Sequence, residues 1–170
     1  MVERKIQSWI NSEPIRLQRE WRGWDSLSAN AKLAVIAAED QRFPDHSGFD
    51  LVELRRALQA SQEGGRLRGA STLSQQTAKN VFLWTGRSWT RKGLEAWFTL
   101  LIEILWSKQR ILEVYLNVAE WDRGVFGLEA AAQPYFGVSS NALTERQASL
   151  LAAILPSPLT RSAARPDAQV

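Results

Sequence analysis

Apolar residues recur at helical spacing along almost the whole sequence, whereas segments with the two-residue period of a strand are nearly absent. Two such stripes are Leu33, Ile36 and Ala37 within residues 28–40, and Ile111, Leu112, Tyr115 and Leu116 within residues 108–119. A chain of 170 residues has the length of one domain and can bury a hydrophobic core. No repeat or linker divides it, so the sequence predicts a single, mainly helical domain over residues 1–170.

Capping residues and helix breakers indicate where these helices begin and end. The predicted segments are Ser28–Asp40, Asp50 to Gly64-Gly65, Ser71 through Asn80, Ser88–Trp106, Lys108–Ala119, Leu128–Gln133, and Thr144 to Pro156. Ser28 is a suitable N-cap, and the pairs Asp50/Glu53 and Thr144/Gln147 have the spacing of a capping box. Proline has no backbone N–H and clashes with the preceding turn, so we expect Pro134 to end the short helix.

Charge and composition limit the kinds of site the chain can contain. The absence of cysteine excludes disulfides and thiolate metal sites, and a single histidine, His46, excludes sites that need two imidazoles. The net charge of +3 favours an anionic partner, which can be a nucleic acid, a phosphate-bearing substrate or an acidic membrane, although simple solubility is an equal alternative. The apolar run Leu94–Trp106 contains two glutamates and is shorter than the roughly 20 residues of a bilayer crossing. No signal peptide is visible at the start of the sequence.

The first candidate site lies where the predicted helix 28–40 ends. Glu39 and Asp40 are adjacent carboxylates that follow an apolar helix and precede a turn-rich loop containing His46. A carboxylate at such a helix end can be partly desolvated, which raises its pKa toward the range of a general base. The alternative is a solvated helix end, with Asp50 acting only as the cap of the next helix.

The second and third candidates are polar and basic segments. Residues 69–80 place Gln75 and Lys79 on one helical face, with Gln76 and Asn80 beside them, and the helix start offers free N–H groups to a phosphate. Residues 87–95 space Arg87, Arg91 and Glu95 at intervals of four, which suits arginine contacts to phosphate. Taken singly, each segment fits an ordinary exposed helix face better than a binding site.

In this order, the segments resemble the motifs of the peptidoglycan glycosyltransferases of the penicillin-binding-protein type, glycosyltransferase family 51. Residues 39–50 resemble EDxxFxxHxGxD, residues 69–80 resemble GxSTxxQQxxKN, and residues 91–95 resemble RKxxE. Residues 111–117 (ILEVYLN), 127–136 (GLEAAAQPYF) and 145–158 are similar to later motifs of the family. The resemblance is greatest to the monofunctional proteobacterial enzymes. It implies that the chain is truncated at both ends, without the N-terminal transmembrane helix and the C-terminal tail.

The resemblance implies polymerisation of lipid II, a disaccharide-pentapeptide on undecaprenyl pyrophosphate, into β-1,4-linked glycan with inversion and release of the lipid pyrophosphate. Glu39 is then the general base, and Glu95 holds the cationic cluster or a divalent ion. The implied substrate-binding residues are Asp40, His46, Ser71, Gln75, Gln76, Lys79, Asn80, Arg87, Arg91 and Lys92. Asp40 and His46 can instead serve mainly to shape the loop. The resemblance requires no cofactor and leaves open a divalent cation, Mg or Mn, at the pyrophosphate.

The resemblance also implies a lysozyme-like fold, with a helical lobe and a smaller membrane-proximal jaw. Val81–Trp84 and Trp89 are candidates for the membrane-facing part of the jaw, and an ordinary core position is the alternative for these aromatics. The expected location is the bacterial inner membrane, with the catalytic domain on the periplasmic side. Expected partners are lipid II, the growing glycan chain, the membrane surface, the inhibitor moenomycin and proteins of cell division or wall synthesis, but no nucleic acid.

Two other functions share parts of this pattern. A lytic transglycosylase or lysozyme shares the helical fold and a catalytic glutamate but has no use for a phosphate-binding cluster at Lys79 and Arg87. A non-catalytic scaffold of the wall-synthesis machinery keeps the fold and loses turnover, and the intact motifs argue against it.

Overall fold

The computed structural model describes residues 17–62, 71–84, 86, 88–161 and 163. Within these residues the chain forms seven α-helices: α1 (Ala29–Glu39), α2 (Leu51–Gln62), α3 (Leu73–Phe82), α4 (Trp89–Leu105), α5 (Lys108–Val118), α6 (Leu128–Phe136) and α7 (Glu145–Ile154). They are accompanied by three short strands, β1 (Gln18–Arg19), β2 (Glu120–Asp122) and β3 (Val125–Phe126), and by 3-10 turns at Trp24–Ser26 and Ser140–Ala142. The prediction of a mainly helical chain is confirmed.

Local capping explains where most of these helices begin. Ser28 Oγ accepts from the Asn30 N–H at 3.1 Å, and Ser88 and Ser107 cap α4 and α5 in the same way. Thr144 and Gln147 make both bonds of a capping box at the start of α7. Each cap satisfies an N–H group that has no partner within its own helix. The predicted starts of α1, α4, α5 and α7 are therefore confirmed.

The predicted bounds of two helices were wrong. Thr72, and not Ser71, is the N-cap of α3, because Thr72 forms a reciprocal capping box with Gln75. Helix α6 continues through Pro134 to Phe136 and ends at Gly137, whose φ of +67° is left-handed. Proline in the last turn removes only one N–H bond, so the helix can pass it. The predicted stop of α2 at Gly64-Gly65 lies outside the described residues.

The buried face of α1 also differs from the predicted one. Its buried residues are Ala31 and Val35, whereas Leu33 is 67% exposed and Ala37 is exposed as well. Helix α1 packs against α7 through the small side chains. Because α1 is apolar on nearly every side, its period does not indicate which side faces the core, and the contact with α7 decides this.

A small sheet, which the sequence did not predict, closes one side of the molecule. Its strand order is β1-β3-β2, with β1 parallel and β2 antiparallel to β3. The strands are only two or three residues long, and such segments are too short to produce a recognisable two-residue period. The β2–β3 turn passes through Gly124, which has a φ of +80°.

Helix α3 lies at the centre of the fold and positions the candidate site. It packs against α4 and α5, and its N-terminal half is buried, including the polar residues Ser74 and Thr77. The C-terminal end of α1 is held against the first turn of α3, as the hydrogen bonds below show. Within the described residues, no helix is long and apolar enough to cross a membrane.

Candidate active site

Glu39 is the last residue of α1 and contacts α3 through a single hydrogen bond. Gln76 Nε2 donates to Glu39 Oε2 at 2.8 Å. Glu39 Oε1 is buried and accepts no hydrogen bond from the described part of the chain. Burial raises the pKa of Glu39, and the hydrogen bond from Gln76 and the positive charges of Lys79 and Arg161 offset only part of that rise. The carboxylate thus combines an unpaired oxygen with increased basicity, as a general base requires.

Lys79 lies one turn along α3 from Gln76 and connects Glu39 electrostatically with the basic start of α4. Burial lowers the pKa of Lys79, the negative charges of Glu95 and Glu39 raise it, and the positive charges of Arg91 and Lys92 lower it further. A partly desolvated ammonium group in this position gains more from an incoming anion than an exposed lysine does. Lys79 is therefore a candidate for contact with a phosphate.

Glu95 organises the cations at the start of α4. Its carboxylate is buried and accepts from Arg91 Nη1 at 2.8 Å and from Lys92 Nζ at 2.5 Å. One buried carboxylate thus fixes two cations close to Lys79, and the four side chains together carry a net charge of +2. We refer to Lys79, Arg91 and Lys92 as the cation cluster. Such a cluster can stabilise negative charge on a departing group.

Asp40 and His46 form a buried structural connection beside Glu39. His46 Nε2 lies 2.9 Å and 3.0 Å from the two Asp40 oxygens, and the Leu73 N–H donates to Asp40 Oδ2 at 2.9 Å. Leu73 is the first residue of α3, so Asp40 satisfies one of the free N–H groups of that helix. This arrangement favours the predicted alternative, in which Asp40 and His46 shape the loop instead of contacting substrate.

Gly48 brings the loop against α3 and α4. Its φ is +88°, and a Cβ at this position would lie 2.8 Å from Thr99 Cγ2. Its carbonyl accepts from Thr72 Oγ1 at 2.6 Å, which joins the loop to the start of α3. The glycine is thus required both by the backbone conformation and by the close approach of α4.

The remaining predicted site residues are placed differently. Gln75 is 8% exposed, and its Oε1 accepts from the Thr72 N–H, so its position favours capping over contact with substrate. Gln76 donates to Glu39, and its predicted role in orienting the pyrophosphate stays a prediction. Ser71 and Asn80 are exposed at either end of this surface. Arg87 lies outside the described residues.

The residues around the cation cluster do not fit a divalent ion at Glu95. Both carboxylate oxygens of Glu95 are taken by Arg91 and Lys92, and a metal ion there would face three positive charges. Among the described residues, one group of three ligand-type side chains lies within 4.8 Å of one another, Asp40, His46 and Asp50. Asp40 already accepts from His46 and the Leu73 N–H. The oxygen atoms of Glu95 that a metal ion would need are therefore already bonded to cations.

A carboxylate with a raised pKa and a group of three cations thus lie at the junction of α1, α3 and α4. The sequence profile of the transglycosylase family matches residues 5–170, nearly the whole chain. The chain belongs to the transglycosylase family. This confirms the predicted family, its lysozyme-like helical fold and the predicted enzyme class, a glycosyltransferase of peptidoglycan synthesis.

Several relatives of this transglycosylase align along its entire length. A biosynthetic peptidoglycan transglycosylase of Chromohalobacter salexigens is 66% identical over 170 residues, which is 100% of this chain and 73% of that protein. Proteins of the same name from Pseudomonas aeruginosa and Pseudomonas putida F1 are 64% and 62% identical over all 170 residues, which cover 73% and 72% of their lengths. All three relatives are named for the synthesis of peptidoglycan.

The later motifs of the transglycosylase contribute residues that the sequence analysis did not include in the site. Tyr115 on α5 donates its hydroxyl to Gln76 Oε1 at 3.2 Å, so it contacts the partner of Glu39. Asn117 exchanges two 2.8 Å bonds with the Arg22 backbone, and Glu129 accepts from the Ser140 N–H at 2.7 Å. Asn117 therefore joins the segment before α1 to α5, and Glu129 joins the 3-10 turn Ser140–Ala142 to α6. The position of Tyr115 in the ILEVYLN motif was the available signal for its role.

The aromatics predicted for the jaw are only partly separate from the core. Trp89 is 92% exposed, and Trp84 and Phe82 are 46% and 42% exposed. Phe82 also stacks on Phe98, with 4.7 Å between ring centroids. The exposed apolar surface of the transglycosylase continues along α4. We call this surface the α4 stripe, which consists of Trp89, Trp97, Leu100 and Ile104.

Proposed function

We propose that this chain polymerises lipid II into β-1,4-linked glycan, with Glu39 as the general base and the cation cluster stabilising the departing undecaprenyl pyrophosphate. The acceptor is the 4-hydroxyl of a GlcNAc unit, which attacks C1 of a donor MurNAc and inverts its configuration. The attacking hydroxyl loses its proton to Glu39, and the bond between C1 and the pyrophosphate oxygen breaks. The reaction leaves a lengthened glycan and a free lipid pyrophosphate.

The observation that carries the proposal is the free oxygen of Glu39. Oε2 is held by Gln76, and Oε1 is buried without a partner in the described residues, so one oxygen is fixed while the other can accept a proton. Burial raises the pKa of Glu39, which increases its strength as a base. Proton transfer to a positioned side chain contributes roughly 10²- to 10⁴-fold to a rate.

The charge of the cation cluster supports a phosphate leaving group over the lytic alternative. Lys79 is close enough to Glu39 for their charges to interact, and Glu95 holds Arg91 and Lys92 beside Lys79. Cleavage of a finished glycan produces no pyrophosphate, so a lytic enzyme would gain nothing from these charges. We expect moenomycin, which carries a phosphoglycerate, to bind the same cations. Arg87, Ser71 and Asn80 stay predicted substrate contacts.

The test is incubation of the purified chain with labelled lipid II, with and without moenomycin. We expect polymeric glycan, released undecaprenyl pyrophosphate and inhibition by moenomycin. A parallel incubation with preformed glycan should give no cleaved ends. Cleavage of glycan without consumption of lipid II would replace the proposal with a lytic function, and absence of both reactions in a folded chain would favour the scaffold.

We further propose that the α4 stripe contacts the outer face of the inner membrane, where lipid II is anchored, with the catalytic domain on the periplasmic side. Trp97, Leu100 and Ile104 lie eight, eleven and fifteen residues after Trp89, so all four side chains share one side of α4. Trp89, Trp97 and Ile104 are 92%, 58% and 78% exposed, and tryptophan is common at membrane interfaces. Lys92, whose side chain is 46% exposed, lies in the first turn of the same helix, and a basic group there favours anionic lipid.

Vesicle sedimentation tests this surface. Replacing Trp89, Trp97 and Ile104 by serine should lower binding to anionic vesicles and leave the melting temperature nearly unchanged, because these side chains have few core contacts to lose. Leu33→Ser on α1, which is equally exposed but lies outside the stripe, is the matched control and should bind as the wild type does. A triple variant that binds normally, or one that melts much earlier, would contradict the assignment.

A further inference from the structure

Three side chains from three helices form a continuous hydrogen-bonded chain that ends at the candidate base. Tyr115 on α5 donates its hydroxyl to Gln76 Oε1 at 3.2 Å, and Gln76 Nε2 on α3 donates to Glu39 Oε2 at 2.8 Å at the end of α1. Tyr115 is 1% exposed, so its hydroxyl is not available to substrate. We infer that Tyr115 is a positioning residue, which acts through Gln76 to orient Glu39. This inference rests on the proposed role of Glu39 as general base.

The argument depends on the two ends of a glutamine amide. Gln76 can present either its carbonyl oxygen or its NH₂ group to Glu39, since the two ends have nearly the same shape. The carbonyl oxygen facing the carboxylate would place two acceptors against each other, whereas the NH₂ group makes a charge-assisted bond. A donor on the opposite side of the amide selects the productive orientation. Tyr115 is that donor, and the Ser71 carbonyl supports the same orientation through a longer bond of 3.4 Å from Gln76 Nε2.

The environment of Tyr115 keeps it a donor. Burial raises the pKa of Tyr115 well above its ordinary value, and the negative charge of Glu39 raises it further. The phenol therefore stays protonated across the pH range in which an enzyme of this kind is assayed. A buried hydroxyl also requires a partner, and Gln76 Oε1 provides it.

Two consequences follow for Glu39. With Oε2 held by the amide, Oε1 is the oxygen left to accept the proton, so the arrangement defines which oxygen reacts. The hydrogen bond from Gln76 also lowers the pKa of Glu39 against the effect of burial. The charged groups around Glu39 are Lys79 on α3, Asp40 next in the chain and Arg161 after α7, and none of them bonds to the Gln76 amide in the described residues.

The first experiment measures kcat/KM for lipid II against pH in the wild type and in Tyr115→Phe. The variant keeps the ring and removes only the hydroxyl. We expect a loss of roughly tenfold in kcat/KM, the rate equivalent of one hydrogen bond, carried by kcat with KM nearly unchanged. The acidic limb of the profile should move to higher pH, because Gln76 is no longer held with its donor toward Glu39. Tyr135→Phe is the matched control: the other tyrosine of the chain bonds Asp122 at 2.9 Å, and its removal should leave the profile in place.

The second experiment is a double-mutant cycle with Gln76→Ala. This variant leaves Tyr115 buried and should shift the acidic limb in the same direction, and adding Tyr115→Phe to it should cause little further change. Additive effects of the two substitutions would overturn the inference, as would an unshifted limb in Gln76→Ala. If Tyr115→Phe failed to fold, the Gln76→Ala profile would still test the bond from Gln76 to Glu39, and an unshifted limb there would overturn the inference. If the wild type does not consume lipid II, the proposed function is refuted. If the wild type consumes lipid II and Glu39→Gln is inactive, but the acidic limbs of Tyr115→Phe and Gln76→Ala are unshifted, only this inference is refuted.

Discussion

Replacing Glu39 with glutamine separates the chemistry of the site from its architecture. The Gln76 amide donates to Glu39 Oε2, and a glutamine side chain at position 39 can accept the same bond through its own carbonyl oxygen. The other atom, Oε1, makes no contact that the substitution would break in the described residues. The variant should therefore keep its fold and lose only the capacity to take a proton.

The expected loss follows from that restriction. A positioned general base contributes roughly 10²- to 10⁴-fold, which corresponds to about 2.7–5.4 kcal/mol at 1.36 kcal/mol for each factor of ten. We expect Glu39→Gln to reduce glycan polymerisation from labelled lipid II by at least about 10²-fold. Glu53→Gln, an exposed glutamate on α2 that pairs with Arg56, is the matched control and should retain wild-type turnover.

The melting temperature of Glu39→Gln should not fall with its activity. Because burial raises the pKa of Glu39 in the folded chain, the folded state holds this proton to higher pH than the unfolded state does. Ionisation of Glu39 therefore reduces stability as the pH rises from its unfolded pKa through the raised folded value. The neutral amide escapes this cost, so Glu39→Gln should melt at the wild-type temperature or above it at neutral pH. A variant within tenfold of wild-type turnover would refute the role of Glu39, and an inactive variant that melts much earlier would show that the loss is structural.

Three further substitutions test other parts of the site and its support. Lys79→Met should lower turnover by roughly 10²-fold and weaken moenomycin binding in parallel. The acidic limb of kcat/KM should move to higher pH, because the lysine charge lowers the pKa of Glu39. Unchanged moenomycin binding would contradict the proposed contact of Lys79 with phosphate. Gly48→Ala should destabilise the fold by about 2–4 kcal/mol in chemical denaturation, since its φ is +88° and its Cβ would meet Thr99; a smaller change than 1 kcal/mol would argue against that contact. Glu129→Ala should cost about 1–3 kcal/mol by leaving the Ser140 N–H without its acceptor, and lipid II turnover measured well below the melting temperature should stay at the wild-type level.

Local chemistry made the helices predictable. The caps at Ser28, Ser88 and Thr144 are bonds between residues two or three apart, so their sequence pattern suffices to place a helix start. The end of an apolar helix made Glu39 a candidate base, with a solvated helix end as the alternative, and the resemblance to the family assigned it that role. Its unpaired oxygen and raised pKa support the assignment, which stays a prediction.

The contacts between helices could not be predicted in this way. The sequence indicated that Gln75 and Gln76 are polar neighbours near Lys79. Gln75 caps α3 through a local bond with Thr72, whereas the rotation of α3 against α1 determines that Gln76 meets Glu39. The same holds for Tyr115, whose apolar stripe predicted a core position and gave no sign of a bond to a residue 39 positions earlier.

The sequence by itself thus determined the number and the approximate bounds of the helices, the residue types available for acid–base chemistry and the family. The tertiary structure decided which side of α1 is buried, which glutamine holds the base and how Glu95 gathers the cation cluster. The physical reason is the separation along the sequence over which each interaction acts. Helix period, caps and turns depend on residues within about one turn of each other. Burial raises the pKa of Glu39, whereas Gln76 and Lys79 of α3 and Arg161 after α7 offset part of that rise, and only the packing of the folded chain brings these groups together.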